Sequence, residues 1–277
     1  MLGTSQHVMG TRGMASSGAL MGTNDQLVVE DVSLEYVGGS GRVMALHDVS
    51  LHVEKGEFVA VIGPSGCGKS TLIKIVADLL PATSGHVSVA SLAPATARKE
   101  RRVGVVFQAP TLLPWRTVLA NVRLGIEIVG TQVGSRRPEE LVELVGLKEF
   151  SGAMPTELSG GMQQRAAIAR ALALEPELLL MDEPFGALDE FARADLGQML
   201  LRVWQATAST IVFITHNVEE AVTLADRVIV FSSRPGTIVG ELTVNLPRPR
   251  TGVVVESDEA FALVKKARHL LRGAASH

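Results

Sequence analysis

Phe58-Val59-Ala60-Val61-Ile62-Gly63-Pro64-Ser65-Gly66-Cys67-Gly68-Lys69-Ser70-Thr71 is the stretch that decides the fold of this chain. Phe58 to Ile62 is a continuous apolar run of strand length, as expected for a strand buried on both faces. It runs straight into Gly63 to Gly68, and Ser70 to Leu80 then has helical spacing. Residues 63–70 match G-x-x-x-x-G-K-[ST], a phosphate loop in its required strand–loop–helix setting. Glycines let the backbone curl so that N–H groups point at phosphate oxygens, and the following helix adds its positive N-terminal end. Gly63, Pro64, Ser65, Gly66, Cys67 and Gly68, with Lys69, Ser70 and Thr71, are therefore the expected nucleotide-binding residues. Lys69 would supply a point charge for the β- and γ-phosphates, and Ser70 a hydroxyl ligand for Mg²⁺.

Outward from this stretch, strands and helices alternate. Leu27 to Val29 and Val32 to Tyr36 read as strand, Gly38 to Gly41 as a turn, and Ala45 to Val53 as strand again, an antiparallel sheet opening the domain. Val103 to Phe107, Leu178 to Met181, Thr210 to Thr215 and Val228 to Phe231 are further apolar strands. Residues 117–172 are mostly helical, with breaks at Gly130 to Pro138 and Gly152 to Pro155, and Val218 to Ala225 reads as helix. The expectation is an α/β fold: a P-loop NTPase core with a mainly parallel sheet, an N-terminal antiparallel β subdomain and an inserted helical subdomain.

Composition narrows the function. The chain has 277 residues, 46% hydrophobic and 20% charged, with net charge -3. That charge gives no general electrostatic reason to bind nucleic acid. The single cysteine, Cys67, excludes an internal disulfide and reads as a packing residue of the loop. Mean hydropathy is +0.25, but no apolar run approaches the roughly 20 residues that span a bilayer. Residues 1–25 are rich in Met, Gly, Ser and Thr and lack a signal-peptide core, so they read as a disordered extension, or an upstream start with Met9, Met14 or Met21 as alternatives.

Two more stretches carry chemistry. Leu178-Leu179-Leu180-Met181-Asp182-Glu183 is an apolar strand ending in two acids. Asp182 would hold Mg²⁺ through its water shell, and Glu183 would polarise the attacking water. Alone, such acids are common; beside a phosphate loop they complete a site. Leu158-Ser159-Gly160-Gly161-Met162-Gln163-Gln164-Arg165 places a hydroxyl and free N–H groups at the start of a helix running from about Met162 to Leu174, an anion site or a plain serine cap.

These stretches together resemble an ATP-binding-cassette (ABC) ATPase over about Leu27 to Phe231. Residues 158–162 resemble the family's L-S-G-G-Q signature, with Met162 in place of glutamine, which leaves Ser159, Gly160 and Gly161 in place. The resemblance implies an ATPase domain at 26–232, with a helical subdomain at about 109–172 and a C-terminal extension at 233–277. It also implies roles for single residues. Gln108 would sense the γ-phosphate or Mg²⁺, and His216 would act as the switch histidine. Gly186 to Asp189 would communicate across a dimer, and Tyr36 would stack on adenine. Asn217 stands where an aspartate is frequent. Catalysis would then rest on Glu183, His216, Lys69 and Gln108, with ATP and Mg²⁺ (held by Ser70, Gln108 and Asp182) as cofactors.

One phosphate loop and one signature per chain imply a second ATPase subunit, with two ATP molecules bound head to tail. The run Gln108 to Val118, with Leu112-Leu113-Pro114-Trp115, and the segment Glu241 to Arg250 look like the branch of importers for nitrate, sulfonates and taurine. That branch implies a peripheral subunit on the cytoplasmic face of the membrane, bound to a separate permease and only indirectly to an extracytoplasmic solute-binding protein. The 46 residues after Phe231 are too few for an added regulatory barrel. An exporter subunit, a non-transport cassette ATPase and a P-loop kinase are the alternatives. The kinase leaves residues 158–165 without a purpose.

Overall fold

The computed structural model describes residues 24–38, 41–130, 136–250 and 252–274. In chain order the first elements are β1 (Asp25–Gly38), β2 (Gly41–Glu54), β3 (Phe58–Ile62), α1 (Lys69–Val76), β4 (Ser84–Val89), α2 (Pro94–Lys99) and β5 (Val103–Val106). Helices α3 (Val118–Val129), α4 (Pro138–Leu144) and α5 (Gly160–Leu172) follow. Then come β6 (Leu178–Asp182), α6 (Glu190–Thr207), β7 (Thr210–Ile214), α7 (Val218–Leu224), β8 (Arg227–Phe231), β9 (Ile238–Thr243), α8 (Gly252–Val255) and α9 (Asp258–Ala274).

All five side chains of β3 are buried. Phe58, Ala60 and Ile62 join the apolar layer under α3 to α7 and α9, while Val59 and Val61 join the layer under α1 and the N-terminal strands. β6, β7 and β8 divide their side chains in the same alternation, since successive strand residues face opposite ways. At roughly 1.5–3 kcal/mol for each large apolar side chain buried, this double burial outweighs strand-propensity differences of about 1 kcal/mol. The main sheet has the order β5-β6-β7-β3-β8-β9, with β3 parallel to both β7 and β8, and β9 antiparallel to β8.

The second sheet has the order β2-β1-β4. β1 is one strand where the sequence pattern shows two stretches. Its register slips between Val29 and Val32, with Asp31 at φ 50, so the interruption at Glu30–Asp31 is a bulge. β4, pairing back on β1 from Leu27↔Val89 to Ser33↔Ser84, carries no local signal of that partnership. α1 ends at Val76, short of the Leu80 that helical spacing predicts. Asp78 turns to φ 56, and the N–H groups of Leu79 and Leu80 double back to the Lys74 carbonyl. α6 is a long helix that the periodicity does not announce. Residues 1–23, read from sequence as part of a disordered extension, lie outside the described residues, as do 39 and 40 of the expected turn.

The segment after β9 is fastened by two arginines. Arg248 stacks 4.2 Å above Trp204 and pairs with Asp226 at 2.6 Å. Arg250 is only 1% exposed and donates to the carbonyls of Val222, Thr223, Ala225 and Val244. Burial and the neighbouring Arg248 push its pKa down to about 10, so it is still charged at neutral pH. It thus caps the C-terminus of α7, whose last carbonyls have no helical partner. α9 then packs on α7, β8 and β9.

Arg250→Met keeps the apolar stem and leaves these carbonyls unpaired. Urea unfolding should show a loss of about 3 kcal/mol or more. A change under about 0.5 kcal/mol, the usual size for a surface substitution, would show that the cap contributes nothing.

Candidate nucleotide site

The register of the main sheet brings the sequence-predicted groups to one edge. Asp182 pairs with Ile214, and Ile214 with Val61, so β3, β6 and β7 end side by side. Gly63, Glu183 and His216 therefore follow adjacent strand ends, the place where open α/β sheets bind ligands.

At the end of β3 the loop curls over the start of α1. Gly66 and Gly68 have φ 73 and 117. A Cβ at Gly68 would stand 2.7 Å from the Ala45 carbonyl oxygen, so neither conformation nor space admits another residue. Lys69 is 3% exposed, and its ammonium donates to the carbonyls of Gly63 and Pro64, both at 2.9 Å. Cys67 is buried, with its Sγ 3.8 Å from the Lys69 Nζ, in keeping with a packing role. Tyr36 is 42% exposed, and its hydroxyl lies 3.4 Å from Thr71 Oγ1, so β1 sets the aromatic ring at the mouth of the loop.

Ser70 donates to Asp182 at 2.7 Å. Burial pushes the Asp182 carboxyl up; the Ser70 hydrogen bond opposes the rise and neighbouring Glu183 adds to it. The next residue, Glu183, sits at φ 46, a left-handed conformation unusual for glutamate, with its N–H held by the Ile214 carbonyl. Its Oε2 is 3.2 Å from His216 Nδ1. An ionised carboxylate only accepts, so the imidazole N–H donates. Gln108 reaches the same corner: a Cβ at Gly186 would lie 3.1 Å from its amide nitrogen. Asn217 caps α7 by accepting from the Glu220 N–H at 3.0 Å, as an aspartate would.

The signature residues stand elsewhere. Ser159 caps α5, accepting from the Met162 N–H at 3.3 Å, and Ser159 and Gly160 are exposed. Met162 cannot bond back to the cap; instead Gln163 donates to the carbonyls of Pro155 and Leu158. Asp189 caps α6, and the loop before it packs on the signature, with Leu188 facing Gly160. α5 also holds the segment after β5. Gln164 donates to the Phe107 carbonyl, and Arg170 to the carbonyls of Pro110 and Thr111. Gln164 lies in the 158–165 stretch and Pro110 and Thr111 in the 108–118 run, but no local pattern pairs these segments with their partners.

The cleft at the phosphate loop holds about 200 Å³ and is lined by Tyr36, Val43, Ala45, Gly66, Gly68, Lys69, Ser70, Thr71, Glu183 and Arg234. Ser159, Gly160 and Gly161 line no part of it. Two roomier concavities, of about 730 and 740 Å³, contain no phosphate-loop residue. Lys69, Ser70, Thr71, Glu183 and Arg234 thus converge on one small cleft. Arg234 belongs to none of the sequence motifs; its Arg-Pro-Gly turn is visible in sequence, but not the loop it touches.

The ABC transporter domain family matches residues 46–186. The nitrate import ATP-binding protein NrtD of Synechocystis sp. is 45% identical over 255 residues, which cover 89% of this chain and 95% of that protein. The taurine import ATP-binding protein TauB of Rhizobium johnstonii is 45% identical over 225 residues, 80% of this chain and 85% of that one. Among solved structures, a dimeric post-hydrolysis state of the ATP-binding cassette MJ0796 bound to ADP and Pi is similar with a TM-score of 0.69. That match has 31% identity and covers 79% of this chain and 99% of the other. With the phosphate loop, the acidic strand end and the signature helix in this arrangement, the chain belongs to the ABC transporter family as an ATP-binding, ATP-hydrolysing subunit.

Proposed function

We propose that this ATPase energises import of a small solute of the nitrate, sulfonate or taurine type through a separate membrane permease, from the cytoplasmic face of the membrane. An extracytoplasmic solute-binding protein would deliver the solute to the permease and touch this chain only indirectly. The observation that carries the mechanism is the half-site. The phosphate-loop cleft contains Lys69 and Glu183, whereas Ser159 and Gly160, at the start of α5, are exposed and line no part of that cleft. Two chains head to tail would bring each signature over the other's phosphate loop. ATP then bridges the two chains, Lys69 of one and Ser159 of the other, and its hydrolysis releases them.

In this reading Tyr36 stacks on adenine and the first-turn N–H groups of α1 receive the phosphates. Lys69 exchanges its loop carbonyls for phosphate oxygens. Ser70 and Asp182 offer hard oxygens 2.7 Å apart, which fits a Mg²⁺ ion that would be held by the hydroxyl, by Asp182 through the ion's water shell and by substrate phosphates. Such an ion, when bound, would offset phosphate charge. Gln108 stands close enough to Gly186 and the Glu183 turn to report on that corner. Glu183 orients the attacking water and accepts its proton, while the Nδ1–H of His216 holds the carboxylate in place.

Trp115, 70% exposed, suits a contact with a permease's cytoplasmic segment. It is presented by a loop that Asn121, itself fully buried, ties at the backbone of Leu113, Arg116 and Thr117.

Three outcomes test this reading. Glu183→Gln should bind ATP, lose turnover by a factor of about 10² or more, and accumulate as an ATP-dependent dimer in size-exclusion chromatography with light scattering. Adding Ser159→Arg should return it to a nucleotide-bound monomer. Wild-type turnover by Glu183→Gln removes the base assignment.

Asp182 tests the metal role through pH linkage. Burial raises its folded-state pKa above the unfolded value, so the ionised form costs stability at neutral pH, and that stability returns as pH falls through the folded pKa. Asp182→Asn should melt at the same temperature or higher without ligand, flatten this part of the pH dependence, and lose Mg²⁺-dependent hydrolysis. A lower midpoint contradicts the linkage.

Affinity purification from gently solubilised membranes should recover a multi-span permease, with recovery reduced by Trp115→Ala. Intact ATPase activity with ribosomal or DNA-repair partners instead would remove the import role.

A further inference from the structure

We infer that Arg234 is a positioning residue of the phosphate loop, setting the affinity of the site for the triphosphate tail. This rests on the phosphate-loop reading above. Arg234 stands at the tip of the β8–β9 hairpin. Its Nη2 and Nε both donate to the Gly66 carbonyl, at 2.8 and 3.1 Å, and its side chain lines the same cleft as Lys69 and Tyr36.

The grip falls on the part of the loop that needs it most. Gly66 and Gly68 both hold positive φ, and glycine loses more conformational freedom on ordering than any other residue. The peptide that joins Gly66 to Cys67 is held at both ends: Arg234 takes its carbonyl, and its N–H reaches the Pro64 carbonyl at 3.4 Å. With that plane fixed, the N–H groups that follow at the start of α1 are aimed before any phosphate arrives. Preorganised donors bind an anion without an ordering cost at the moment of binding.

The arginine is itself braced on both sides. Ser233 donates its N–H to the Ala274 carbonyl at the end of α9. Gly236 donates to the Ala45 carbonyl at 2.9 Å, and its own carbonyl accepts from the His47 N–H at 3.0 Å. A Cβ at Gly236 would lie 2.2 Å from the Cys67 carbonyl oxygen, so the hairpin tip is pressed on the loop as closely as glycine permits. The C-terminal helix is thereby linked to the phosphate loop through the hairpin tip that carries Arg234.

Losing a charge-assisted pair of hydrogen bonds at an exposed position should weaken binding about five- to tenfold. The test measures displacement of a fluorescent nucleotide by ATP and by inorganic tripolyphosphate, with KM, kcat and the ligand-free melting temperature, for Arg234→Ala and Arg234→Lys. The expected result is an equal loss for ATP and tripolyphosphate in Arg234→Ala, expressed mainly in KM. Partial recovery in Arg234→Lys and an unchanged ligand-free midpoint complete it. Unchanged ATP affinity overturns the proposal. So does a loss confined to ATP, which would mean a contact with the base, or a fall in the ligand-free midpoint that accounts for the effect. Lys69→Ala run beside these separates the two levels: retained affinity there overturns the phosphate-loop reading itself, whereas retained affinity in Arg234→Ala alone overturns only the positioning role.

Discussion

A strand with apolar side chains on both faces must be covered from both sides, and β3 is such a strand. Its burial puts helices on one face and α1 with the N-terminal strands on the other. It also puts the end of β3 at the middle of the sheet edge, between β7 and β8. The phosphate loop emerges there because a chain leaving a central parallel strand must cross the edge before it can return as a helix. The loop glycines, the Asp182–Glu183 pair and His216 converge for that single reason.

The site then depends on unusual backbone held by its surroundings. Gly66, Gly68 and Glu183 all occupy the left-handed region. Each is fixed from outside the loop: Gly66 by Arg234, Gly68 by the closeness of β2, Glu183 by the Ile214 carbonyl. Such conformations persist when neighbouring structure over-determines them. The order of the site is thus supplied by elements remote in sequence, among them a hairpin near the C-terminus.

The helical insertion shares an apolar layer with the main sheet and is also tied to this edge by hydrogen bonds. Gln164 and Arg170 of α5 hold the backbone from Phe107 to Thr111, so Gln108 and Ser159 belong to one mechanical unit. The backbone on either side of Gln108 is thus fastened to the helix that Ser159 caps. The same unit carries Trp115, placing the exposed aromatic on the segment most directly tied to the nucleotide corner.

The sequence by itself determined the parts whose signals are local. Apolar runs of strand length at 58–62, 178–181, 210–215 and 228–231 are buried on both faces wherever the sheet places them. Glycine-lysine-serine at a strand end marks the loop and the helix that follows it, and a serine before two glycines caps a helix without outside help. Tertiary structure alone decided what depends on pairing across long separations. β4 finds β1 through a ladder from Leu27↔Val89 to Ser33↔Ser84 and a shared apolar layer, and α1 stops at Val76, where Asp78 turns the chain. Arg250 looks like surface charge in sequence, yet it is buried because α7 ends in carbonyls with no helical partner. Arg234 reaches Gly66 across 168 positions because two parallel strands end side by side, a proximity that no local pattern encodes.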